Sequence, residues 1–181
     1  MDRHATTVVA LVGPQARARA ASLRGRANVR VVLPDEDEAA AERAGAAWRL
    51  AAGTSVPYLV HDADPLAAVA DAWVRRFDDG GPAGELEVAV ADVVARWRGR
   101  SLGLPDYYLV LDAEELPATR RHWYLGFLHA AAPARVLPAP ASGPALAGEL
   151  GRLPTGRWWP DLDRLLDGVG SVVPDQAGVG R

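Results

Sequence analysis

The chain has 181 residues, 49% of them hydrophobic and 24% charged, with a net charge of −3. That suits one globular domain with its own core and gives no global attraction to nucleic acid or to an anionic membrane. It contains no cysteine and no lysine, which excludes disulfides, thiolate catalysis, Schiff-base chemistry and a phosphate-loop lysine.

The elements follow in chain order. Residues 6–14, TTVVALVGP, form a continuous apolar run closed by Gly-Pro and read as a buried strand. Residues 15–25 read as a short helix, and 28–34, NVRVVLP, as a second strand. Residues 35–54 read as a helix whose first turn holds the acids of DEDE, where the helix dipole favours them. VPYLVHD (56–62) is the third strand. Two helices, 65–79 and 85–99, then precede the fourth strand, DYYLVLD (106–112). Residues 117–132 read as a helix with Pro117 in its first turn, and 134–140 as a fifth strand whose prolines suit a sheet edge. A short helix, a turn and an amphipathic helix from near Pro160 complete the single domain, 1–170; 171–181 read as a flexible tail.

Strands alternating with helices predict an α/β fold: a three-layer α/β/α sandwich on a mainly parallel five-stranded sheet. The expected strand order is flavodoxin-like 2-1-3-4-5, with Rossmann-like 3-2-1-4-5 as the alternative. No apolar run approaches the ~20 residues of a membrane helix, and residues 1–14 lack a leader pattern. The expectation is a cytoplasmic protein. The alanine, arginine and proline richness, with no isoleucine and Asn28 as the one asparagine, fits a GC-rich bacterial genome.

Ligands of such sheets bind beyond the carboxyl ends of the strands. That rule selects Gly13 and Arg17 after the first strand and His61, Asp62 and Asp64 after the third. It also selects Asp112 after the fourth, with Arg120 and Arg121 shortly beyond. One reading is a Mg²⁺ site, with Asp62, Asp64 and Asp112 as hard oxygen ligands. His61 is then the acid–base group, and Arg17, Arg120 or Arg121, with the Gly13 turn, bind a small phosphorylated ligand. The competing reading makes Asp64 a cap for the helix at Pro65 and leaves the other acids to loop amides or water. A haloacid-dehalogenase-type Asp-x-Asp motif is excluded: it belongs on the first strand, Pro65 interrupts it, and the later lysine is missing. The first loop carries neither the two glycines and lysine of a Walker A loop nor a dinucleotide fingerprint.

RRHWYLGFLH (120–129) mixes bases with aromatics, but Trp123/Phe127 and Tyr124/Leu128 are helical packing pairs, so nucleic acid is not the expected partner. Trp158 and Trp159 either dock on the sheet with the terminal helix or anchor a protein partner or a second copy of the chain. The expected function is a non-enzymatic ligand-binding or protein-interaction module, such as an accessory subunit. The alternative is a metal-assisted phosphoryl or nucleotidyl hydrolase, so whether the chain is an enzyme stays open.

Overall fold

The computed structural model describes residues 6–35, 37–140, 142–153 and 159–174. Five strands form one sheet: β1 (Thr7–Val12), β2 (Val29–Val32), β3 (Tyr58–His61), β4 (Tyr107–Leu111) and β5 (Val136–Ala139). Every neighbouring pair is parallel. The helices are α1 (Ala16–Ser22), α2 (Ala40–Ala52), α3 (Ala67–Asp78) and α4 (Ala83–Arg98), then α5 over 118–131, α6 (Gly143–Leu150) and α7 (Leu162–Leu166). Among the described residues no helix is long and apolar enough to cross a membrane.

The strand order is β2-β3-β1-β4-β5, which is neither of the two orders expected. Two local features account for it. β2 carries the exposed Arg30 and is only partly buried, so it takes the edge, while β3, buried from Leu59 to His61, lies inside. The connection from β3 to β4 holds two helices rather than one, and it steps over β1. β4 is pinned there at its start, where the Asp106 carboxylate accepts from the Val8 N–H at 2.8 Å. β5 takes the other edge, with Pro138 exposed, as its prolines predict.

Side chains alternate across the sheet. Val9, Leu11, Leu109 and Leu111 pack with Ala20 and Leu23 of the α1 region and with Leu146 and Leu150 of α6. Ala10, Val12, Tyr108 and Val110 pack on the other face with residues of α3, α4, α5 and α7. Ala47 and Ala51 of α2 meet Val8 and Leu59. The faces follow from direction of travel. The chain moves one way from β1 to β2 and the opposite way through β3, β4 and β5. One handedness of crossover then sends α1 to one face and α2–α5 to the other.

Two helices differ from the sequence expectation. α2 starts at Ala40, so Asp35, Asp37 and Glu38 precede it, and Glu42 is the acid of its first turn. In α5, α-helical Ala118–Arg121 and His129–Ala131 flank a π-helical stretch, His122–Leu128. The His122 ring lies over Gly126, where an added Cβ would come within 2.7 Å of it. That ring also stacks on Trp73 at 6.1 Å. The wider turn lets Trp123, Tyr124 and Leu128 all reach the core. The C-terminal segment closes this face. Asp161 caps α7 through the Asp163 and Arg164 N–H groups, and the Trp73 indole donates to the Val169 carbonyl at 3.2 Å. Of the expected tail, Ser171 ends a 3₁₀ turn and Val172 packs on the core; 175–181 lie outside the described residues.

Gly13 closes β1 at φ 107°, and a Cβ there would stand 2.4 Å from the Leu111 carbonyl oxygen. Strain and overlap act together, so Gly13→Ala is expected to lower stability by roughly 2 kcal/mol or more in urea unfolding. Gly25→Ala, also at positive φ but in open space, should cost less.

Candidate functional site

The carboxyl ends of β3, β1 and β4 lie side by side in that order. Asp62 therefore follows one strand and Asp112 another, with β1 between them. Two strand spacings are about 9–10 Å, whereas one divalent ion bridges carboxylate oxygens only about 4–5 Å apart. Gly13 fills the intervening position, close against the Leu111 carbonyl. Among the described residues no group of three or more His, Asp or Glu side chains is placed to hold a metal ion. The expected ligand set of Asp62, Asp64 and Asp112 is thus not assembled.

Asp64 is buried, and its carboxylate is surrounded by donors. Oδ1 accepts from the Leu66 N–H at 2.8 Å and from the Tyr108 hydroxyl at 2.8 Å; Oδ2 accepts from the Tyr124 hydroxyl at 2.9 Å. It therefore joins the start of α3, the middle of β4 and the π turn of α5. Burial pushes its pKa up, opposed by these hydrogen bonds and by Arg120. Both tyrosines are pushed well above 10, first by burial and then by Asp64, so they stay donors. The helix-start reading of Asp64 fits this geometry, enlarged by two tyrosines.

His61 is 2% exposed, and its Nδ1 accepts from the Ala63 N–H at 3.2 Å. Burial lowers its pKa to about 4, with the Asp62 charge opposing. Burial thus favours the uncharged imidazole at neutral pH. Arg120 pairs with Asp71 of α3, so it clamps α3 to α5; Thr119 Oγ1 donates to Asp78 in the same seam. Arg121 lies half-buried on α5. Asp112 adopts a left-handed backbone, φ 43°, and starts a 3₁₀ turn. With Glu114, Pro138 and Pro140 it lines a cleft of about 310 Å³ at the ends of β4 and β5.

Arg17 is the sequence candidate that meets another. Its Nη1 donates to the Pro34 carbonyl at 3.0 Å and to Asp62 Oδ2 at 3.0 Å. Arg43 of α2, which the sequence reading passed over, stands 3.9 Å from the same carboxylate. Three connections thus converge on Asp62, beyond the carboxyl ends of the adjacent strands β3 and β1.

Trp159 is docked on the body. Its indole N–H donates to the Pro105 carbonyl at 2.8 Å, and its ring meets Tyr108 edge-on at 5.7 Å. For Trp159 this is the docking alternative of the two offered by the sequence; Trp158 lies outside the described residues.

No family model, no curated protein and no solved structure matches this chain. The site therefore stands on its own geometry. Arg43, Tyr108 and Tyr124 were the residues missed. The double tyrosine in YYLVL was the available signal, because a tyrosine in a buried strand needs a partner for its hydroxyl.

The lowered pKa of His61 has a defined sign. The folded state resists protonation, so its contribution is present above pH 6.5 and is lost as pH falls from 6.5 to about 4. The raised pKa of Asp64 acts oppositely at the acid end, so raw stability curves mix the two. His61→Asn keeps an acceptor for the Ala63 N–H without a titrating ring. Wild type should lose stability relative to it by about 3 kcal/mol at most across that window, measured by urea unfolding at several pH values.

Proposed function

We propose that the chain is a non-enzymatic ligand-binding module that uses the crevice between β1 and β3. The observation that supports this most is the Arg17–Asp62 ion pair at that crevice. In a phosphate-cradling loop of the Gly-x₄-Gly-Lys-Ser/Thr kind, lysine and hydroxyl hold the phosphates and the metal, and an aspartate on a nearby strand assists. Here Gly13 is followed at those positions by Ala18, Arg19 and Ala20. The second glycine, the lysine and the hydroxyl of that pattern are therefore missing. Asp62 faces two guanidinium groups, which neutralise the charge that would recruit a metal.

The other acid–base candidates support the same reading. His61 is buried and held neutral, and the Asp64 carboxylate is enclosed by three donors. Hydrolysis needs a base or a metal-bound water at the reacting centre. A cytoplasmic, bacterial setting remains part of the proposal, on composition alone.

Native mass spectrometry with added Mg²⁺ or Mn²⁺, paired with phosphate release from ATP and p-nitrophenyl phosphate, tests the reading. The expected result is no specifically retained divalent ion and no release above buffer. Turnover that Asp62→Asn abolishes would overturn it.

A further inference from the structure

We propose that the crevice between β1 and β3 binds a small zwitterion of the α-amino-acid type, its carboxylate on Arg17 and Arg43 and its ammonium on Asp62. The inference rests on the ligand-binding reading and names the ligand class. In a parallel sheet a binding crevice opens where adjacent strands send their connections to opposite faces. β1 and β3 are such a pair, since α1 packs on one face and α3 on the other.

Three features of the crevice select the ligand. The first is depth. The side chains of Arg17, Arg43 and Asp62 are 35%, 19% and 5% exposed, so the carboxylate lies deepest and the guanidinium groups stand toward solvent. The second is an unmet pair of polar atoms beside an ion pair. Asp62 Oδ2 meets both the Arg17 and the Arg43 guanidinium groups. Asp62 Oδ1 is buried with no hydrogen-bond partner among the described residues, as is the Arg43 Nε–H. A buried acceptor and a buried donor left unpaired are costly, and a ligand offering both kinds of group relieves them together. A carboxylate matches the planar guanidinium fork, and an ammonium supplies three donors.

The third feature is the rim. Asp35 and, beyond Glu36, Asp37 and Glu38 are exposed just after Pro34, whose carbonyl holds Arg17. These acids disfavour a bare anion and favour a ligand that carries its own positive charge. A zwitterion brings a carboxylate for the guanidinium groups and an ammonium for Asp62 and the acidic rim; a simple phosphate or carboxylate answers only the guanidinium groups.

The test uses the full chain. Thermal shift with each common amino acid at millimolar concentration, with propionate and ethylamine as single-charge controls, is followed by calorimetry on any hit. The expected result is that at least one amino acid stabilises the protein and that neither control does. Arg43→Gln leaves the Arg17–Asp62 pair in place, so it should fold while weakening binding by about tenfold or more. In Asp62→Asn the amide oxygen takes the Arg17 side and its NH₂ replaces the Oδ1 acceptor, so binding should be lost. No stabilisation of wild type by any amino acid, or equal binding by wild type and both variants, would overturn the inference. Proton NMR of the same mixtures separates the two claims. An amino acid that binds and is chemically altered would overturn the non-enzymatic reading while the site stands.

Discussion

The carboxylate of Asp64 is the point on which the carboxyl edge of this sheet is organised. A carboxylate removed from water must be neutralised or ringed by donors. Here one backbone N–H and two tyrosine hydroxyls ring it. Those three donors come from α3, β4 and α5, so satisfying one side chain fixes the mutual position of three elements. Tyr108 in turn packs edge-on against Trp159, and on α5 Arg120 reaches Asp71 of α3. Contacts of the residues around Asp64 thus extend to the C-terminal segment through Trp159.

The remaining acids follow the same logic at other places. Asp106 receives the Val8 N–H at the amino end of β4 and pairs with buried Arg135, whose guanidinium lies over Tyr107. Asp62 is held between Arg17 and Arg43. In a chain without lysine, arginine provides the charged partner in both cases. Its planar, permanently charged fork suits partly buried carboxylates better than a strongly hydrated ammonium would. The abundance of arginine thus has structural uses here, whatever its origin in codon usage.

The architecture was legible because it rests on period and punctuation. Apolar runs closed by Gly-Pro or by proline became strands, and amphipathic stretches of 12 to 16 residues became α3 and α4. Strand order was not legible, since it depends on which strand tolerates an edge and on how far a two-helix connection reaches. The candidate site was only partly legible. The rule of carboxyl ends found His61, Asp62, Asp64 and Arg17, but the order of the strands decides which of them meet. With β1 between β3 and β4, Asp112 and Asp62 are separated. With Tyr108 and Tyr124 aimed at the β3–α3 junction, Asp64 is enclosed. Arg43 lay in an alanine-rich helical run and gave no sign of facing inward.

The most direct measurement is a ¹³C NMR titration of the Asp64 side-chain carboxyl, repeated with Mg²⁺ present. An enclosed carboxyl that anchors α3, β4 and α5 should titrate above the ordinary aspartate range, and its profile should be the same with and without the metal. A carboxyl that titrates in the ordinary range or below it, and shifts when Mg²⁺ is added, would contradict the account and restore Asp64 as a metal ligand.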